Sequence, residues 1–147
     1  MIMTTPKDIF IVHHSVFHDA FRTDYQTQFR QSSKDFFDLL LRHYIKSGCK
    51  IAHTSREVFD KMFDSPIARS KAFWIIPSQL VEIDLRKNPN LRDLEKSVIR
   101  LASRKSAKYI PHIVATKPKD KINTEGTNHL IFTPREAIDF YNNQGRF

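Results

Sequence analysis

A continuous apolar run near the start of the chain restricts the fold more than any other feature. Residues 9–12 are Ile, Phe, Ile and Val, and they lie between Pro6 and the polar triplet that begins at His13. This run predicts a short strand, because β-branched and aromatic residues favour extended structure. Since no polar residue alternates with the apolar ones, the strand is expected to be buried on both faces, as in a parallel sheet.

The next segments alternate between helical and extended patterns. A helix is predicted from Ser33 to the stop signal at Gly48, then a strand over residues 50–54, and then a helix capped by Ser55 that extends to Phe63. The expected apolar side of the first of these helices comprises Phe36, Phe37, Leu40, Leu41, Tyr44 and Ile45. Residues 74–84 are ambiguous, and residues 81–83 are their most strand-like part.

The second half of the chain predicts a helix over residues 91–108, strands over 109–115 and 129–132, and a last helix with a capping box formed by Thr133 and Glu136 around Pro134. This order predicts an α/β fold, specifically a three-layer α/β/α sandwich with a central, mostly parallel sheet. No internal repeat or long linker divides the chain, so residues 1–147 are expected to form a single domain.

The composition excludes several classes of protein. Hydrophobic residues make up 40% of the 147 residues, which is enough for an ordinary core and too many for a disordered chain. The single Cys49 excludes a disulfide framework, so a reducing, cytoplasmic location is expected. No apolar run approaches the roughly 18 residues of a membrane span, and the first residues do not resemble a signal sequence. No membrane partner is therefore expected.

The net charge of +8 is local. Residues 86–121 contain eleven basic and three acidic side chains, whereas basic and acidic residues balance in the rest of the chain. Within the predicted helix, basic residues recur every fourth position, and a second basic group follows the next strand: Arg92, Lys96, Arg100 and Arg104, then Lys117, Lys119 and Lys121. This pattern favours a polyanion-binding surface, although a solvated helix face remains open.

Several motifs together resemble the PIN-domain family of nucleases. The buried strand that ends at His13 is similar to the first strand of that family, and Ser55 followed by a helix with Glu57 is similar to its second motif. Arg92-Asp93 at the start of a helix, and Thr133-Pro134 at the start of the last helix, extend the likeness over nearly the whole chain. The resemblance implies a PIN-like fold and metal-dependent cleavage of RNA by clustered carboxylates that bind Mg²⁺ or Mn²⁺.

The acidic positions of that family are substituted in this chain. The residues that match them are His13, Lys61, Lys96 and Lys117, none of which is a carboxylate. Since Mg²⁺ needs oxygen ligands, the expected protein is a degenerate member without a metal or another cofactor. Mg²⁺ or Mn²⁺ is expected only if acids at neighbouring positions rebuild the site: Asp19, Glu57, Asp60, Asp93 and Asp120.

The histidines at the end of the first strand are a further candidate site. His13, His14 and His18 lie where open α/β sheets bind ligands, and a transition-metal site, metal-free acid–base cleavage of RNA, and purely structural roles are all open. If the strand continued, His13 and His14 would point to opposite faces. The residues that a catalytic function would use are accordingly expected among His13, Asp60, Asp93 and Asp120.

Three hypotheses of function follow from these observations. The first is a PIN-like domain that binds nucleic acid, RNA in preference to DNA, through the basic helix and loop without conventional nuclease activity. The second is an active endoribonuclease, with a toxin-like enzyme as one form of it, that uses Mg²⁺, Mn²⁺ or an unconventional site. The third is a protein-interaction subunit that binds an acidic partner, and a homodimer is compatible with each of them.

Overall fold

A computed structural model describes residues 6–21, 28–63, 74–78, 91–116 and 131–147, with the side chains of residues 77–78 and 91–93 outside the description. The elements within these ranges are β1 (Asp8–Val12), α1 (His14–Phe21), α2 (Arg30–Ser47), β2 (Ala52–Ser55), α3 (Arg56–Met62), β3 (Ile75–Ser78), α4 (Leu91–Lys105), β4 (Ile110–Val114), β5 (Ile131–Phe132) and α5 (Pro134–Asn143).

The five described strands form one parallel sheet in the order β3-β2-β1-β4-β5. Strand β1 lies at the centre, where Ile11 pairs with His53 of β2 and with Ile113 of β4. The four apolar residues of β1 are buried, as the continuous apolar run predicts, and Asp8 before them is buried as well. Because the chain runs outward from β1 to β3 and then returns to place β4 beside β1, the order reverses between β1 and β4, where such sheets bind ligands.

Helices cover both faces of the sheet, which confirms the predicted three-layer α/β/α class. On one face, Phe36 of α2 packs edge-on against Phe10 of β1 with ring centroids 5.2 Å apart, and α5 packs beside α2. On the other face, α4 contacts β1, β2 and β4 through buried Leu94, Val98 and Leu101. The helical stripe predicted for this segment is therefore its core face.

The predicted helix boundaries are confirmed at three positions. Gly48 ends α2 with φ of 74°, the left-handed conformation that favours glycine. The Ser55 hydroxyl accepts the Val58 N–H at the start of α3. At the start of α5, Thr133 and Glu136 form the reciprocal capping box.

Other predictions for individual elements are wrong or shifted. Helix α1 was not predicted, and α2 begins at Arg30, one turn before Ser33. Ile45 was placed on the apolar side of α2, yet it is 71% exposed because it lies in the last turn, beyond the buried residues. The third strand is Ile75–Ser78, whereas residues 81–83 lie outside the described residues. None of the described helices combines the length and apolarity that crossing a bilayer requires.

Candidate functional site at the carboxyl end of the sheet

His13 occupies the junction between β1 and α1, at the point where the strand order reverses. Its backbone N–H donates to the Val114 carbonyl of β4 at 2.9 Å. Its ring Nδ1 lies 3.1 Å from the backbone nitrogen of Ser15, whose N–H donates to it, and 2.8 Å from Ser15 Oγ. Because Ser15 offers both a donor and an acceptor, it can satisfy either neutral tautomer of the His13 ring.

Ser15 also connects the ends of the two central strands. Its Oγ accepts the backbone N–H of Thr116, directly beyond β4, at 3.0 Å. The His13 ring is thus held by a residue that is itself fixed to both β1 and β4. This second layer of hydrogen bonds restrains the direction in which Nε2 of His13 points.

Three side chains converge at this junction, and we call His13, His14 and Glu95 the His–Glu cluster. Nε2 of His13 lies 3.5 Å from Oε2 of Glu95. The ring centroids of His13 and His14 are 4.0 Å apart, and one potential ligand atom from each of the three residues lies within 4.8 Å of the other two. The residues are 0%, 8% and 7% exposed respectively, so their mutual interactions are weakly screened by solvent.

The relation between His13 and His14 differs from the sequence prediction of opposite faces. Alternation across a strand applies only while the strand continues, and β1 ends at Val12. His14 is the first residue of α1, so the chain turns between the two histidines and brings their rings together.

Glu95 is the site residue that the sequence analysis missed. The family match fell on Lys96, which is exposed, whereas Glu95 is buried one position earlier. Glu95 directly follows Leu94 and precedes Val98 by three positions, which places it on the apolar stripe of α4. A carboxylate on the apolar face of a helix is the signal that could have identified it, because buried acids need a specific role or partner.

A chain of hydroxyl groups fixes α4 over the end of β2. Ser97 Oγ donates to the Leu94 carbonyl at 2.6 Å, and Ser55 Oγ lies 2.7 Å from Ser97 Oγ. Since Ser97 uses its proton on Leu94, the Ser55 hydroxyl donates to Ser97 and accepts from the Val58 N–H. These bonds set the helix position that directs Glu95 toward His13.

The carboxylates of α3 occupy two different environments. Glu57 is 2% exposed, and burial raises its pKa above the ordinary 4.5, with the Asp60 carboxylate acting in the same direction. Asp60 is half-buried and lies 3.2 Å from Nε of Arg56. Lys61, the position matched to a family acid, is exposed. Of the carboxylates proposed to rebuild a metal site, neither Glu57 nor Asp60 belongs to the His–Glu cluster.

The outer side of α4 presents positive charge. Lys96, Arg100 and Arg104 are exposed, and we call these three residues the cationic stripe. Residues four apart are separated by about 6 Å along a helix axis, so the three charges extend over roughly 12 Å. Glu95 and Lys96 are consecutive and lie about 100° apart around the helix, so a buried carboxylate and an exposed ammonium group share one turn.

The structure describes only part of the predicted site. Lys117, Lys119, Asp120 and Lys121 lie outside the described residues, as do the side chains of Arg92 and Asp93.

Among the described residues, the remaining candidates are not members of the His–Glu cluster. His18 of α1 is 3.8 Å from its neighbour Asp19, and Cys49 is exposed. Trp74 is buried in the core, with its ring centroid 5.1 Å from that of Phe37.

Comparison of the chain with models of known protein families gave no match, and comparisons with curated proteins and with solved structures gave none either. The resemblance to the PIN-domain family therefore stays a prediction. The five-stranded parallel sheet, the His–Glu cluster and the cationic stripe are the observations on which a function can be argued.

Proposed function

We propose that this protein binds nucleic acid, RNA in preference to DNA, through the cationic stripe. The observation that supports the proposal is the exposure of Lys96, Arg100 and Arg104 on one side of α4, whose other side is packed in the core. Polyanion binding draws its affinity from such cations, because each phosphate contact releases condensed counterions. The preference for RNA rests on the PIN-like resemblance.

The construction of α4 favours a binding surface over a merely solvated helix. Like charges four residues apart destabilise a helix by roughly 0.2–0.5 kcal/mol per pair. Of the two acids in α4 that could offset them, Glu95 lies in the His–Glu cluster on the buried side. A phosphate backbone would supply further negative charge to the exposed side of this helix.

Charge reversal tests the proposal. Binding of fluorescein-labelled single-stranded RNA at low salt is measured for the wild type and for the triple variant Lys96→Glu, Arg100→Glu, Arg104→Glu, with single- and double-stranded DNA as comparisons. The matched control reverses three exposed cations of α2, Lys34→Glu, Arg42→Glu and Lys46→Glu, with the same change in net charge. We expect the first variant to lose binding and the control to keep most of it.

Two outcomes would contradict the proposal. One is the absence of RNA binding by the folded wild type at low salt. The other is equal loss of binding in both triple variants, which would indicate that net charge and not the cationic stripe is responsible. A wild type that binds an acidic protein and does not bind RNA would favour the interaction-subunit hypothesis.

An endoribonuclease is the second candidate function, and the His–Glu cluster favours it. An imidazole beside a carboxylate at the carboxyl edge of a parallel sheet is a suitable arrangement for general acid–base chemistry. Incubation of structured and unstructured RNA with the protein in Mg²⁺, Mn²⁺, Zn²⁺ or EDTA tests this function. Cleavage by the wild type that is lost in Glu95→Gln would support it, and intact RNA under every condition would refute it.

A further inference from the structure

We propose that His13, His14 and Glu95 form a binding site for a single transition-metal ion of the Zn²⁺ type. This site goes beyond the proposed binding of RNA, and its test uses no nucleic acid. The inference rests on the convergence of two imidazoles and one carboxylate at the junction of β1, α1 and α4.

The spacing of the donor atoms suits a small ion. Zn²⁺ binds nitrogen and carboxylate oxygen at about 2.0–2.2 Å, so two ligands of a tetrahedral site lie roughly 3.4 Å apart. Nε2 of His13 and Oε2 of Glu95 are 3.5 Å apart. The three donor atoms lie within 4.8 Å of one another, so the longest of these separations has to shorten by at most about 1.4 Å to reach the tetrahedral spacing.

The donor set selects the class of metal. Two imidazole nitrogens and one carboxylate oxygen favour Zn²⁺, Co²⁺ or Ni²⁺ over Mg²⁺, which prefers oxygen ligands. An imidazole at the position of His13 is a poor ligand for Mg²⁺ and a good ligand for an ion of the Zn²⁺ type. Three protein ligands leave one position of a tetrahedral ion for water or for an oxygen of an anion.

The surroundings provide what a metal-binding histidine requires. When Nε2 of His13 binds the ion, the ring proton resides on Nδ1, so the Ser15 N–H no longer donates to the ring and Ser15 Oγ at 2.8 Å accepts the Nδ1 proton. Ser15 is in turn fixed by the Thr116 N–H at 3.0 Å. The Glu95 side chain keeps 10% of its surface exposed, so the carboxylate is the part of the site that solvent reaches most.

Metal titration of the full chain tests the inference. Protein treated with EDTA and then freed of chelator is titrated with ZnCl₂ by calorimetry, and with CoCl₂ by visible absorption, whose intensity distinguishes tetrahedral from octahedral coordination. We expect one equivalent of Zn²⁺ to bind, Co²⁺ to give tetrahedral bands, and MgCl₂ to give no comparable binding. Zn²⁺ affinity should fall at least tenfold in His14→Gln and in Glu95→Gln.

Two further variants separate this site from adventitious binding: a control at a distant histidine, and a variant of the serine that contacts the His13 ring. His43→Gln removes a histidine of α2 that contacts Tyr141 on the other face of the sheet, and it should leave the stoichiometry and affinity unchanged. Ser15→Ala should weaken Zn²⁺ binding by about 10-fold, the lower end of what loss of an outer partner costs. If a cluster variant fails to fold, nuclear magnetic resonance of the wild type replaces it, with Zn²⁺ expected to shift the ring signals of His13 and His14 but not of His43.

The inference is overturned if no stoichiometric Zn²⁺ binding occurs, or if His14→Gln and Glu95→Gln bind Zn²⁺ as the wild type does. Binding lost equally in His43→Gln would likewise refute it. Failure of RNA binding would leave these results unchanged, so the two proposals can fail separately.

Discussion

Acidification from pH 7 to pH 5 is predicted to destabilise the fold through His53. This residue lies in β2 beside β1, is buried, and faces Tyr109 with ring centroids 6.0 Å apart. Within the described part of the chain, its Nδ1 has no hydrogen-bond partner. Burial lowers the pKa of His53 from the ordinary 6.5 to about 4, and the Lys105 cation acts in the same direction.

The magnitude follows from proton linkage. Between these two pKa values the unfolded chain binds a proton at His53 and the folded chain does not, so stability is full above pH 6.5 and falls as the pH is lowered toward 4. Because one pKa unit corresponds to about 1.4 kcal/mol, the whole effect is roughly 3 kcal/mol. About 2 kcal/mol of it is expected to be lost between pH 7 and pH 5.

Urea unfolding at pH 7, 6 and 5 measures this loss in the wild type and in His53→Leu. Leucine has a similar volume and cannot be protonated, so the variant should lose about 2 kcal/mol less over this range than the wild type. His18→Gln, which removes a half-buried histidine of α1, is the comparison variant that separates the effect of His53 from the loss of any one histidine. Identical pH dependence in the wild type and His53→Leu would refute the assignment, because all other titrating groups are common to both proteins.

Three further predictions concern Glu57 and two helix ends. Because the pKa of Glu57 is raised in the folded protein, the folded protein loses stability as the pH rises and this buried carboxyl ionises. Glu57→Gln should therefore raise the melting temperature at pH 8 and leave it unchanged at pH 4. A decrease at pH 8 would contradict the reasoning. Gly48→Ala should lower the free energy of unfolding in urea by about 1 kcal/mol. Backbone strain alone causes this loss, since an added Cβ would meet no atom within 4 Å. Gly48→Asn should lower the free energy of unfolding by less, because Asn tolerates the left-handed conformation, and equal losses would contradict the reasoning. Thr133→Ala should lower the free energy of unfolding by about 1 kcal/mol in the same assay, and Thr133→Ser should lower it much less because serine keeps the capping hydroxyl. No loss in Thr133→Ala would show that the capping box does not stabilise α5.

Local patterns account for the parts of the fold that the sequence predicted correctly. A strand without polar alternation is buried on both faces, and β1 is. Gly48 and Thr133 mark helix ends because their conformations and hydrogen bonds depend on nearest neighbours. The strand order is not a local property, since it depends on which distant segments pair with β1, and the sequence predicted the class of the sheet without this order.

The His–Glu cluster could be predicted only in part. His13 was identified from its position at the end of a strand, but the start of α1 was missed because its cap is a histidine ring nitrogen and not a common capping side chain. Without that helix, His13 and His14 were assigned to opposite faces. Glu95 was missed because the family comparison drew attention to the neighbouring Lys96, although the helical stripe already placed Glu95 inward.

The salt dependence of RNA binding tests the central claim most directly. Affinity of the wild type for single-stranded RNA is measured between low and physiological salt, beside a variant with Lys96→Gln, Arg100→Gln and Arg104→Gln. Each phosphate contact contributes about 0.7 to the slope of log affinity against log salt, so loss of the three cations should reduce the slope by about 2. An unchanged slope in this variant, or a wild type that binds no RNA at low salt, would contradict the account.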